Sequence, residues 1–521
     1  MKNNIYSLLT IVVALFTVLS FSACEDFLEE DFRSGITTDN FFNNDAEALL
    51  AVNGTYRILH RASLYKTRGL DNYYVNGTDE VGPNRNVNGQ IHNYLIGEGV
   101  SDGADTWNSC YELARNAALF LASVEGNEKL SESIRNQVTG ELLFMRALAY
   151  FHLTNLWGDV PYFRELPSTE ELSVIERTDK VLIRSEMKED LDRAFDLLPS
   201  EYGSSELGRV SKWAAAALKA KFHLLDSEWQ DCLTECQEII DNSPHRLLDN
   251  FADVFDQNPL TDQYNDEHIF VVDFTKDPVG SDGNTQRTDD YNPRIRDEPA
   301  NRNVRPGGDG TPTNVELLSA ALAEQGEDMT GYGWAIPLPE IADPANWEDG
   351  DLRYDASIVT EYLGFQLAFP YYRKNWNLNQ ENSPRGNHPE NYIVFRLADI
   401  YLMAAEAENE LNGPANAYTY VNTVRARAFE PDRPWSGMSQ QEFREAMYDE
   451  RKFELATEGH RKMDLIRWGI LLETVMNTEH RSFNNPAANI QPKHVLLPIP
   501  LAEILLNPNL LNSDPSNNGY R

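Results

Sequence analysis

The chain has 521 residues, 41% of them hydrophobic and 24% charged, which supplies enough apolar material for a core and argues against wholesale disorder. Asp and Glu number 82 against 45 Lys and Arg, a formal net charge of −37, and so acidic a surface repels polyphosphate and anionic lipid, arguing against nucleic-acid binding. Four cysteines cannot build a disulfide framework in a chain of this length, so the fold must stand on packing.

Lys2 is the only charge in the first 23 residues, and Leu8 to Ala23 is almost entirely apolar or small. That run is short for a bilayer span of about 20 residues and ends at Ser22-Ala23-Cys24, with Glu25-Asp26 following. Small residues before a cysteine resemble a bacterial lipoprotein signal, although Phe21 stands where Leu is usual. Residues 1–23 are therefore read as a signal peptide and Cys24 as the lipidated first residue of the mature chain. The alternative is an ordinary secretory leader with an incidental cysteine. Acyl chains contribute about 0.8 kcal/mol per buried methylene, so two or three of them anchor a protein stably. No second apolar run is long enough to span a membrane, and the body is expected to be tethered and soluble.

From residue 24 to 243 the pattern is helical. Helices are predicted over Asp45 to Leu50 and beyond, Trp107 to Val124, Leu142 to Leu156, Trp213 to Leu225 and Leu233 to Ile240. Three segments look like variants of one small-residue helix: Gly140 to Leu153, Ser211 to Leu225 and Phe395 to Leu411. The first two start about 71 residues apart, close to two tetratricopeptide periods of about 34. Alanines at those positions let neighbouring helices approach closely, as stacked helical hairpins require. Cys110, Cys232 and Cys236 fall within this part, and Cys232 and Cys236, at i and i+4 on one helical face, read as core residues. Residues 244–390 change texture: Pro, Gly, Asn and Asp become dense, and His268 to Phe274 is the one clear strand. A loop-rich insert of this length usually lines a site or a partner surface. Residues 391–521 return to helix from Tyr392 to Leu472, and Val495 to Asn509 reads as an extended closing strap. The expected fold is mostly α, a tetratricopeptide-like array of helical hairpins with a loop-rich, partly irregular insert carrying short strands.

A family resemblance runs through ordered blocks of this sequence. They include Cys24-Glu25-Asp26-Phe27-Leu28, Asn53-Gly54-Thr55-Tyr56, Leu156-Trp157-Gly158-Asp159-Val160-Pro161 and Arg396-Leu397-Ala398-Asp399. The most specific is Glu450-Arg451 through Glu454-Leu455, Glu458-Gly459-His460-Arg461 and Asp464-Leu465-Ile466-Arg467-Trp468-Gly469, followed by Leu497-Pro498-Ile499-Pro500. The chain resembles the SusD/RagB family, the surface glycan-binding lipoproteins of Bacteroidetes. That resemblance implies four tetratricopeptide-like helix pairs with the insert on one side. It also implies a cell-surface lipoprotein of the outer membrane that captures oligosaccharide and delivers it to a SusC-like TonB-dependent barrel. It gives Trp376, after Arg373-Lys374-Asn375, a structural place.

No G-x-S-x-G, H-E-x-x-H or P-loop pattern occurs, and no spacing fixes a glycosidase carboxylate pair, so no catalytic residue is assigned. Asp282-Gly283-Asn284 is calcium-loop-like in composition but lacks the alternating acidic ligands; no metal or cofactor is assigned, and a structural calcium ion stays an open alternative. Glu450 lies seven residues beyond Phe443 on the buried face of one helix, where pairing with an arginine would lock helices together. Trp107, Trp157, Trp213 and Trp468 likewise read as core. A sugar ring stacks its apolar C–H face on an aromatic ring and offers its hydroxyls to planar polar side chains, so candidates are sought on loops. Two stretches qualify. One holds Tyr73, Tyr74, Asn76, Asp79, Asn84, Arg85, Asn88, Gln90, Asn93 and Tyr94. The other holds Tyr291, Arg294, Arg296, Asn301, Arg302, Tyr332 and Trp334, with Trp347 weaker. The leading expectation is a non-catalytic binder of a neutral oligosaccharide; a secreted glycoside hydrolase and a tetratricopeptide-type peptide binder are the alternatives.

Overall fold

The computed structural model describes residues 41–84, 90–99, 101–256, 263–276, 283–300, 312–480 and 485–521. Cys24, the leader at 1–23, Arg85, Asn88, Asp282, Asn301 and Arg302 lie outside the described residues.

Six helices form the N-terminal scaffold: α1 Asp45–Leu59, α2 Ser101–Val124, α3 Glu132–Trp157, α4 Lys180–Leu197, α5 Lys212–Leu225 and α6 Trp229–Asn242. From α2 onward each helix packs against the next, and α1 lies across α2 and α3. The longest is α3, with 26 residues, or roughly 39 Å at about 1.5 Å per residue. Ser131 starts it, its side chain accepting from Ile134 N, and Gly158 ends it at φ 76°, a left-handed conformation that glycine adopts without a Cβ clash. It is buried from Val138 to Trp157 except at Asn155, because α1, α2 and α4 surround it. In α5 the row Ala214 to Ala217 is wholly buried, which is how the alanines of the sequence pattern let α4 and α6 close on either side. Cys232 and Cys236 are buried free thiols, as read from the sequence, and so is Cys110 in α2.

The insert carries α7 Arg287–Tyr291 and short strands: β2 His268–Val272, β3 Ala335–Pro337, β4 Ile358–Tyr362 and β5 Phe365–Tyr372; β1 Val81–Pro83 precedes it and β6 Tyr392–Arg396 follows it. Each strand pairs with one other, all antiparallel: β1 with β3, β2 with β6, β4 with β5. The expected resumption of helix at Tyr392 therefore begins as strand, because β2 supplies an edge there and only at Leu397 does the helical pattern take over. The C-terminal scaffold is α8 Leu397–Asn412, α9 Pro414–Ala428, α10 Gln440–Leu455 and α11 Arg461–Arg467. The chain after Val495 is not uniformly extended, since Leu501–Leu506 forms a short helix within it.

A chain of buried ion pairs joins α9, α10 and β6 to the insert. Glu450 accepts from Arg353 at 2.7 Å and Arg425 at 2.6 Å. Glu454 meets Arg353, Arg396 and Arg427 at 3.1, 2.7 and 2.6 Å. Glu458 holds Arg396 at 2.6 Å and Lys374 at 2.8 Å. Burial alone would raise the Glu458 carboxyl, but Arg396 and Lys374 pull it down to about 2. The structural role expected of Glu450 is what the geometry shows.

Candidate binding site

The strand pair β1–β3 brings the two loop stretches chosen from sequence together, and Asn84 N donates to Trp334 O at 3.3 Å just beyond it. Most of the chosen side chains nevertheless face inward. Tyr73, Tyr74, Asn76, Asp79, Tyr94, Tyr291 and Trp334 are each between 2% and 5% exposed, so they offer no open face to a sugar. Asp79 accepts two bonds from Arg461 at 2.8 and 2.6 Å, and Tyr74 OH bonds His152 Nδ1 at 3.0 Å. The Asn76 carbonyl accepts from Lys462 at 3.2 Å, and Tyr94 stacks on His494 at 5.2 Å. Tyr291 OH donates to Asp71 Oδ2 at 3.4 Å. The physical cause is shared: cations of α7 and α11 reach beneath these loops and draw their polar groups into the interior. Of the described candidates, Asn93, Arg294 and Tyr332 are half-buried and Gln90 and Arg296 exposed, with the Arg385 guanidinium 4.8 Å from the Tyr332 ring.

An open cleft of about 490 Å³ lies in the insert instead, on the other side of α7. The β4–β5 hairpin turns at Leu363-Gly364, both at positive φ, the geometry of a two-residue hairpin turn. After β5 the chain makes a single 3-10 turn at Arg373–Asn375 and Trp376 folds back to meet Tyr362. Their rings stand 5.5 Å apart at 86°, both half-buried, with the Arg373 guanidinium 5.9 Å from Tyr362. Tyr362 OH donates to both oxygens of Glu327 at 3.0 and 2.8 Å. Burial and that bond lift the phenol to about 12, so it remains a protonated donor. Trp376 is pinned by Nε1 to Tyr291 O at 3.1 Å.

Planar polar groups line the floor and rim. Glu390 accepts from Thr288 Oγ1 at 2.9 Å and from Asn377 Nδ2 at 2.6 Å. Thr457 Oγ1 donates to Asn375 Oδ1 at 2.9 Å. Arg287, at the bottom, is held by Asp71 at 2.7 Å and by Thr457 O at 2.7 Å. The facing wall is the 3-10 turn Phe251–Phe255, whose Phe255 ring lies 4.6 Å from the Lys374 ammonium. Of the three basic residues here, Arg287 and Lys374 are neutralised by Asp71 and Glu458, which leaves Arg373 against Asp253, Asp256, Glu327 and Glu390. The wall is thus aromatic, its rim amide-rich and its balance not basic. Sequence reasoning missed Tyr362 and Trp376; the Asn375, Asn377, Asn379 run around Trp376 is the signal that marks them.

The molecule is thus a helical-hairpin scaffold bearing an insert with an open polar-aromatic cleft. Residues 26–224 match a sequence family described as "Starch-binding associating with outer membrane", and residues 364–520 match the SusD family. SusD-like protein P25 of Formosa agariphila is 45% identical over 98% of this chain and 99% of that one. The chain belongs to the SusD-like family, whose members are glycan-binding proteins. Among solved structures, a laminarin-binding SusD-like protein superposes with a TM-score of 0.71 at 23% identity, covering 89% of this chain and 98% of that one. Surface glycan-binding protein A of Bacteroides thetaiotaomicron, solved with laminarihexaose, gives 0.69 at 18% identity and covers 88% and 97%. At these identities the solved structures establish the fold.

Proposed function

We propose that this chain is a non-catalytic, cell-surface oligosaccharide-binding protein whose insert cleft holds a short run of a neutral glycan. The perpendicular Tyr362–Trp376 pair carries the reading. It presents aromatic surface at two orientations beside Asn375, Asn377 and Glu390, the combination that sugar C–H faces and hydroxyls require. A polyanionic glycan would meet four carboxylates and one unneutralised arginine, which favours an uncharged ligand. Glu390 and Glu327 both accept side-chain hydrogen bonds, from Thr288 and Asn377 and from Tyr362. The family description and the laminarin complexes of related folds support the glycan class.

Lipidation at Cys24 would tether the protein to the outer membrane, and a SusC-like TonB-dependent barrel would take delivery of the glycan. Among the described residues no helix is long and apolar enough to cross a membrane. Calorimetric titration with laminarihexaose, paired with chromatography of the same mixture over time, tests the reading. Saturable heat with intact hexasaccharide is expected. Bond cleavage lost in Glu390→Gln would replace it with the hydrolase reading, and binding of peptides with no affinity across a glycan array would replace it with the peptide reading.

A further inference from the structure

One buried cation departs from the pattern of all the others. Lys462 of α11 is 6% exposed, and among the described residues it is the only buried lysine or arginine without a carboxylate partner. Its ammonium has the Asn76 carbonyl at 3.2 Å and the Tyr94 ring at 4.7 Å. Asp79, on the same loop as Asn76, is already engaged by Arg461 and Lys452. A buried charge with no counter-ion gives up its proton readily. Burial lowers the Lys462 ammonium to about 7, so the free amine is present at neutral pH. Lys462 also lines a cavity of about 30 Å³ with Asn155, His494 and Val495 among the other walls. A water needs about 10–15 Å³ of such space, so the cavity takes a molecule the size of two waters and excludes a sugar. Val495 is 40% exposed, which leaves the cavity one side chain from solvent.

We propose that Lys462 is a carbamylation site, whose amine takes up carbon dioxide in this cavity to become an N-carboxylysine. The nitrogen lone pair forms the N–C bond, one C=O pair moves onto oxygen as the carbamate charge, and an amine proton leaves to solvent. Carbon dioxide is an electrophile small enough for the space, and it reacts with the unprotonated amine that burial provides. Two walls of the cavity can donate to the carbamate. Gln491 N donates to His494 Nδ1 at 2.9 Å, so the ring hydrogen sits on Nε2. Asn155 accepts from Arg184 at 2.6 Å through Oδ1, while its Nδ2 reaches only the Met463 sulfur at 3.9 Å, a weak acceptor that a carbamate oxygen would outdo. The N–H that stays on Lys462 can keep its bond to the Asn76 carbonyl. Electrostatics favour the change as well. Burial, with His480 and Lys462 nearby, holds His92 at about 3; burial, with Lys493 and Lys462 nearby, holds His494 at about 4. Turning Lys462 from a cation into an anion removes that repulsion from both imidazoles. The site is independent of what the cleft binds.

The probe is carbon-13 bicarbonate, which equilibrates with carbon dioxide, added to the full-length protein and read by carbon-13 NMR. The carbamate is then trapped as its ethyl ester with a triethyloxonium salt and located by peptide mass spectrometry. A carbonyl resonance distinct from bicarbonate is expected, lost again on degassing, with the ester on Lys462. Lys462→Arg and Lys462→Met should each abolish both signals. His494→Phe, which keeps a ring beside Tyr94 but removes the N–H, should lower occupancy at a fixed carbon dioxide pressure roughly tenfold. The His494 ring should titrate at higher pH with carbon dioxide than without it. Wild-type protein that shows no such resonance, or whose trapped ester maps to the α-amine and exposed lysines but not to Lys462, overturns the inference, and that outcome is read on wild type whether or not the variants fold.

Discussion

The indole nitrogen of Trp376 donates to the backbone carbonyl of Tyr291 at 3.1 Å, so the ring that faces the cleft and the ring that sequence alone selects stand back to back. Tyr291 is sealed behind, with Asp71 on its hydroxyl and Tyr372 6.4 Å away edge-on, while Trp376 looks outward. The two residues should therefore fail differently.

Trp376→Ala and Tyr362→Ala should each weaken glycan binding roughly tenfold, since an aromatic contact is worth about 0.5–1.5 kcal/mol beyond its buried area, and leave the melting temperature nearly unchanged. Tyr291→Ala should instead destabilise the fold by about 3–5 kcal/mol, the range for losing a buried aromatic ring. Calorimetric titration and thermal unfolding on the same preparations separate the two; equal affinity losses with unaltered stability in all three would contradict the geometry.

Glu458→Gln should cost about 3–5 kcal/mol, because Arg396 and Lys374 are left buried beside a neutral amide. The sign with pH is set by the depressed carboxyl. Its contribution is present above about 4.5 and is lost as pH falls through about 2. Wild-type melting temperatures measured from pH 5 down to pH 2 should drop more steeply than those of the variant.

Glu80 behaves oppositely. It is 2% exposed, and burial raises its carboxyl to about 8 although Arg461 opposes the shift. The folded protein then holds a proton that the unfolded chain releases, so this group's contribution to stability falls as pH rises from about 4.5 to about 8. Glu80→Gln should match wild type near pH 4.5 and melt higher near pH 8. An equal melting temperature for the two at pH 8 would mean that Glu80 is ionised in the folded state.

Gly331→Ala should disrupt the turn over α7, since Asn292 O occupies the place of the new methyl. Loss of Trp334 burial, seen as a red-shifted tryptophan emission relative to wild type, is the expected readout, with the scaffold helices unchanged by circular dichroism.

The helices were legible because their signals are local. Ser131 before α3, Gly158 after it and the Ala214–Ala217 row need no tertiary knowledge to interpret. Composition marks the insert off from the helices on either side, and the cleft lies in it. What local pattern could not reveal is which face a loop turns inward. Asp79 meets Arg461 and Asp71 meets Arg287 across separations of 382 and 216 residues, and those pairings, not the polarity of the loop, draw Asp79 and Tyr291 inward. The resemblance gives Trp376 a structural place, and half of it fits: its nitrogen is anchored while its ring stays half-buried at the cleft.

Arg353, Arg396, Arg425 and Arg451 rank among the largest fully enclosed side chains of the molecule. Each such cation withdrawn with an acidic mate leaves the formal total untouched but thins the positive charges remaining outside, so the solvent-facing skin is more one-sidedly anionic than the ratio of 82 to 45 suggests. Neighbouring copies brought close together would then hold one another at arm's length in dilute medium and draw closer only as salt shortens the reach of that mutual repulsion.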